Sequence, residues 1–201
     1  MIAIIDYDAG NLKSVEKALL FLGEEVKVTS NAEEILAADK IILPGVGAFG
    51  DAMEKLNTRG LSDTIREAVK RKIPLLGICL GLQLLFESSE ESPGVIGLSI
   101  LKGQIKRIPD KEGFKVPHIG WNSLAVNPES KLFRDIPQDA YVYFVHSYYL
   151  HAEEPIVAAT TDDVVDIHAA VEKEQVFACQ FHPEKSGEIG LKLLKNFATM
   201  E

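Results

Sequence analysis

The chain has 201 residues, 46% of them hydrophobic, and its 30 acidic against 21 basic side chains give a formal net charge of −9. That length is most simply one domain covering residues 1–201, able to bury roughly 70% of the surface its unfolded form exposes without staples. The negative charge argues against nucleic acid as a partner, and no apolar run approaches a membrane span; two cysteines a hundred positions apart, with no signal peptide ahead of them, point to reduced thiols in a cytoplasmic setting.

Residues 1–5 form a short apolar strand ending at Asp6, followed by a loop from Tyr7 to Gly10. A helix starts at Asn11, with Leu12, Val15, Leu19 and Leu22 on one stripe and Gly23 as its closing residue. Residues 25–29 read as a strand, 31–38 as a short helix and 40–43 as a third strand. This alternation predicts a parallel sheet covered by helices on both faces. The third strand runs into Pro44-Gly45-Val46-Gly47-Ala48-Phe49-Gly50, a turn with three glycines at the carboxyl end of a strand, where ligands of open α/β sheets collect. Its backbone N–H groups suit an oxyanion hole, and an ordinary strand-to-helix turn fits the same residues. Helices follow at 49–57 and 62–72, the second stopped by Pro74.

The stretch from Pro74 to Phe86 is apolar with one thiol in the middle. Before Cys79 it reads as a buried strand, and from Leu80 to Glu87 as a buried helix. Gly77-Ile78-Cys79-Leu80-Gly81 has the form of a nucleophile elbow, a tight strand-to-helix turn that lifts one side chain clear, and the glycines leave room for it. A thiol at a helix N-terminus is favoured as thiolate. A small buried cysteine between packing glycines fits the five residues as well, so the decision rests on the rest of the chain.

Residues 88–94 read as a polar surface loop. Beyond them the chain turns strand-rich, with strands expected at 99–107, 114–117, 123–126, 141–149, 156–160, 166–171 and 175–181, a brief helix near Lys131 and a last helix at 186–198. A thiol nucleophile needs a base, and the base needs an orienting group. Gln180-Phe181-His182-Pro183-Glu184 supplies both: in an extended segment residues two apart lie about 7 Å apart on the same side, so Glu184 can reach His182. The remaining histidines lack metal-ligand spacing, so no metal site is assigned. Cys179 reads as core. Trp121 fits either a partner contact or a buried core position.

Gly77-Ile78-Cys79-Leu80-Gly81 together with His182-Pro183-Glu184 resembles the class I (triad) glutamine amidotransferases, and the pairing is far more specific than either half. Asp6-Tyr7 leading to Gly10-Asn11-Leu12, the segment Leu43 to Phe49, Pro117 to Asn122 and Tyr143 to Tyr148 extend the likeness from Met1 to the last helix. Asp8 departs from it, standing where glycine is usual. The resemblance implies a flavodoxin-like three-layer α/β fold, a mostly parallel central sheet with a strand-rich C-terminal half. It implies a Cys79, His182, Glu184 triad that releases ammonia from glutamine through a thioester, with no cofactor. The oxyanion would be held by backbone N–H groups of Leu80, Val46 and Gly47, and glutamine by Gly45, Gln83, Ser147 and Tyr148. The acceptor chemistry would lie in a separate (β/α)8-barrel cyclase subunit, with Asn11 and Trp121 at the interface. A glutaminase subunit of anthranilate or aminodeoxychorismate synthesis, or a stand-alone γ-glutamyl cysteine hydrolase, shares most of these features.

Overall fold

The computed structural model describes residues 1–8 and 11–200, so Ala9 and Gly10 of the expected Tyr7–Gly10 loop lie outside the described residues. The first part of the chain alternates as expected: β1 (Ile2–Ile5), α1 (Leu12–Phe21), β2 (Val26–Thr29), α2 (Ala32–Leu36), β3 (Lys40–Gly45), α3 (Phe49–Thr58), α4 (Leu61–Lys70), β4 (Leu75–Cys79) and α5 (Leu80–Leu84). The second part holds β5 (Ser88–Ser89), β6 (Gly103–Arg107), β7 (His118–Val126), β8 (Ala140–His146), β9 (Tyr148–Ala152), β10 (Val157–Asp162), β11 (Asp166–Lys173) and β12 (Val176–Cys179), then a 3-10 turn at Pro183–Lys185 and α6 (Gly187–Thr199). Among the described residues no helix is long and apolar enough to cross a membrane.

Nine strands form the main sheet in the order β2-β1-β3-β4-β12-β11-β10-β7-β8. From β2 to β12 neighbours run parallel, and from β12 to β8 antiparallel. The period of two divides the buried strand residues between two cores. Ile4, Ile42 and Leu76 face α1 and α6 with Val15, Leu19, Leu193 and Phe197. Ile5, Ile41, Leu43 and Leu75 face α2, α3 and α4 with Ile35, Met53, Leu56 and Ile65. A three-stranded sheet, β5-β6-β9, extends the second core through Ile105 and Leu150.

Several expected boundaries move, each for a tertiary reason. The helix expected to Glu87 ends at Leu84, because the carbonyls of Leu84, Leu85 and Phe86 accept from the amides of Leu98, Ile100 and Ser99. That same bonding keeps 99–101 out of the expected 99–107 strand. Residues 114–117 form no strand; β7 instead runs unbroken from His118, held against β8 from His118↔His146 to Leu124↔Ala140. The expected 141–149 strand splits at Ser147 and enters both sheets, β8 in the large one and β9 in the small one. Within the expected polar loop, Ser88 and Ser89 pair with β6.

Candidate active site

Cys79 ends β4 at φ 55° and ψ −109°, backbone that L-residues avoid. The strain persists because β4 is fully buried and α5 begins at the next residue. Packing of this turn leaves no space at Gly81, where a Cβ would overlap the Leu43 carbonyl oxygen. The sulfur therefore stands at the sheet's carboxyl edge, 3.9 Å from the Val145 carbonyl oxygen and 3.8 Å from Gln180 Nε2.

His182 follows β12, the parallel neighbour of β4, and this adjacency brings it to the same sheet edge as Cys79, a hundred residues earlier in the chain. Its Nδ1 lies 2.9 Å from Glu184 Oε1, both side chains being almost wholly buried. The expected pairing stands, but its geometric basis is corrected: residues 183–185 form a 3-10 turn, and that turn, not strand spacing, folds the carboxylate back onto the ring. Burial disfavours the imidazolium; hydrogen bonds to Cys79 and Glu184 and the negative charge of both outweigh it, pushing the His182 pKa up to about 9. The other carboxylate oxygen, Glu184 Oε2, is buried with no partner among the described residues. The segment is fastened to β8: His182 N–H donates to the Tyr143 carbonyl at 3.0 Å, Tyr143 N–H donates to Ser186 Oγ at 3.0 Å, and Ser186 Oγ donates to the His182 carbonyl at 2.6 Å. A thiol and an imidazole that line one cavity, with a carboxylate on the imidazole's Nδ1, form an arrangement that suits acyl transfer by a thiol.

A cavity of about 280 Å³ opens over the sulfur, lined by Cys79 and His182 together with the expected Val46, Gly47, Leu80, Gln83, Ser147 and Tyr148. Gly47 holds φ +100° with open space around it, so the Val46–Ala48 turn depends on a glycine there. Gly45 does not line the cavity. It sits one layer below, in register with Cys79, while the Tyr7 hydroxyl donates to the Pro44 carbonyl at 2.9 Å. Burial raises the Tyr7 pKa, with the nearby Cys79 charge adding to it, so this hydroxyl stays a donor. Gln83 gives its amide nitrogen to the Tyr148 carbonyl (3.2 Å) and Gln180 Oε1 (3.0 Å), which leaves its own oxygen to accept from a ligand.

Trp121 is 54% exposed and meets Tyr143 edge to face, which removes the core reading. Asn11 precedes α1 and accepts from the Ser14 hydroxyl. Asp8 holds φ 62°, the left-handed backbone that suits glycine and that aspartate tolerates. Cys179 is core, its thiol pKa raised well above the ordinary value by burial.

Sequence reasoning missed Glu91, which lines the cavity from within the expected surface loop. Its carboxylate accepts from Phe49 N–H at 2.8 Å, and the adjacent Ser92 hydroxyl accepts from Gly50 N–H at 2.9 Å. A signal existed: Ala48, at the N-cap of α3, has no side chain that can cap a helix, so the first amides need acceptors from elsewhere.

Residues 3–200 match the model of the family "Glutamine amidotransferase class-I". Imidazole glycerol phosphate synthase subunit HisH of Methanocaldococcus jannaschii is 50% identical over 200 residues, covering 100% of both chains. Its namesake in Moorella thermoacetica is 52% identical over 200 residues, covering 99% of this chain and 94% of that one. Among solved structures, a glutamine amidotransferase superposes with a TM-score of 0.77 at 20% identity, covering 98% of this chain and 99% of the other. PurLQS from Thermotoga maritima superposes with a TM-score of 0.74 at 21% identity, covering 98% and 96%. At that identity the structures speak for the fold alone.

Proposed function

The chain belongs to the class I glutamine amidotransferases, and on that premise we propose that it is the glutaminase subunit of an imidazole glycerol phosphate synthase, supplying ammonia to a cyclase partner in histidine biosynthesis. The observation that carries the chemistry is His182 held between Cys79 and Glu184, its far nitrogen 2.9 Å from the carboxylate.

As the Cys79 S–H proton passes to His182, the sulfur attacks the side-chain carboxamide carbon of glutamine, and the carbonyl π electrons move to oxygen. Backbone N–H groups of Leu80 and of the Val46–Gly47 turn receive that oxyanion, an interaction worth about 10²–10³ in rate per donor. His182 passes its proton to the departing nitrogen, and ammonia leaves as the C–N bond breaks. Water, deprotonated by His182, then cleaves the thioester to give glutamate and the free thiol. Glu184 keeps the imidazole in the correct tautomer and supports its charge. Gln83 Oε1 and the backbone at Ser147 and Tyr148 hold the amino-acid end of the substrate.

The partner is a separate (β/α)8-barrel cyclase. Its docking face is the outward side of β7 and β8, where Ile119, Trp121 and Tyr141 are each more than half exposed next to the cavity wall. The setting is cytoplasmic, consistent with two unpaired cysteines. The test is kcat for glutamine with the chain alone, with the cyclase, and with the cyclase and its ribotide ligand. The reading expects a rise along that series together with glutamine-dependent cyclisation. Equal rates in all three, with no cyclisation, overturn it in favour of a stand-alone hydrolase.

A further inference from the structure

The turn Val46-Gly47-Ala48 is short and fastened at both ends. On its N-terminal side, β3 is locked in the sheet and the Tyr7 hydroxyl holds the Pro44 carbonyl. On its C-terminal side the fastening comes from far away in sequence: Glu91 accepts from Phe49 N–H and Ser92 from Gly50 N–H. These are the first amides of α3, whose own N-cap, Ala48, offers no side-chain acceptor. A carboxylate there also meets the positive end of the helix dipole, so Glu91 is the stronger of the two acceptors. Between the fastenings the φ +100° backbone of Gly47, with nothing near its missing side chain, is the place where a peptide unit can turn.

We propose that Glu91 is a positioning residue for the glutaminase reaction, a latch whose bond to Phe49 N–H sets the direction in which the Val46–Gly47 backbone presents its N–H groups to the oxyanion. This rests on the reading of that turn as an oxyanion donor. Glu91 also lines the substrate cavity, so the latch and the ligand share one carboxylate, and a substrate that draws on it bears directly on the turn.

The test compares Glu91→Ala and Glu91→Gln in the full chain with its cyclase partner. Glutamine retains an acceptor oxygen for Phe49 N–H and loses the charge; alanine loses both. A latch predicts that alanine lowers kcat by about 10- to 100-fold, up to the lower end of the range for one lost oxyanion donor because the donor is misdirected and not removed, and that glutamine restores most of it. It also predicts faster hydrogen exchange at the Phe49 and Gly50 amides in the alanine variant, and an intermediate kcat for Ser92→Ala. Equal damage in both Glu91 variants, carried by KM, assigns the residue to substrate contact alone and overturns the latch. Unchanged kcat in both variants overturns it too. If the wild-type complex turns over no glutamine, the parent reading has failed; the latch is judged only on an active wild type.

Discussion

The parallel and antiparallel parts of the main sheet contribute differently to the site. The parallel part supplies a rigid point: Cys79 at the end of a strand buried on both sides, fixed in register with Gly45. The antiparallel part supplies surfaces that are half in water, including much of the cavity wall from Val145 to Tyr148. A nucleophile tolerates no positional slack, whereas a substrate wall has to admit and release ligand. β12, parallel to β4 on one side and antiparallel to β11 on the other, is the seam between the two regimes, and Cys79 stands at the end of β4 and His182 just beyond the end of β12.

The largest test of that division is loss of chemistry without loss of structure. Cys79→Ala is expected to reduce glutamine turnover by at least about 10³-fold while ammonia-dependent synthesis in the complex persists, since free ammonia bypasses the thiol. His182→Ala should approach the same loss, and Glu184→Gln should cost less, because the carboxylate only orients the base. Steady-state kinetics with glutamine and with ammonium salts orders the three; a Glu184→Gln variant as dead as Cys79→Ala breaks the assignment of roles.

Next comes loss of structure at the rigid point. Gly81→Ala places a methyl on the Leu43 carbonyl and is expected to destabilise the chain by about 3 kcal/mol or more, since a backbone carbonyl in a buried strand has nowhere to move. Ser147→Ala, in the antiparallel wall, should leave stability within about 0.5 kcal/mol. Urea unfolding of both separates the two regimes, and equal midpoints would erase the contrast.

The pH dependence of stability belongs to the antiparallel side at both limits. His182 has its folded pKa raised to about 9 from an ordinary 6.5, so its contribution is complete below 6.5 and disappears as pH rises through 9. His146, buried with Nδ1 on the Tyr148 carbonyl at 2.8 Å, has its pKa lowered to about 4 mainly by desolvation, so its contribution is complete above 6.5 and disappears as pH falls through 4. The Tm profile should therefore be a dome centred near the ordinary histidine pKa, with a limb of up to about 3 kcal/mol on the acid side. His146→Asn should flatten that acid limb and leave the alkaline one. The smallest effect is at the exposed face: Trp121→Ala should leave the isolated chain's stability within about 0.5 kcal/mol and weaken association with the cyclase by 10-fold or more, read by titration.

The same division explains what the sequence disclosed. Around Cys79 the local signals agree: an apolar run, two glycines and a helix start outline the elbow, and only the distant His182-Pro183-Glu184 separates it from a buried packing cysteine. Gly23 likewise closes α1 as read, with φ +83° and its amide on the Leu20 carbonyl. Elsewhere the deciding bonds are distant. The carbonyls of Leu84 to Phe86 take partners 13 to 16 residues away, His118 joins a strand by pairing with His146, and Glu91 acts on Phe49 across 42 positions. Periodicity carries no information about such partners. Motif spacing brings His182 and Glu184 to light, although a 3-10 turn, and not the extended segment that the spacing implies, joins them.

The bonds from His182 and Ser186 to Tyr143 have a colloidal consequence. β8 is the last strand of the nine-stranded sheet, and a last strand left bare is a template on which another chain can pair. Here the catalytic segment occupies that edge, giving Tyr143 an acceptor for its N–H and a donor for its carbonyl. The segment proposed to move the proton also covers the sheet's edge at Tyr143. Selection for solubility and selection for turnover thus act on the same few backbone bonds, and a lesion that frees the 182–186 segment costs the cell both at once.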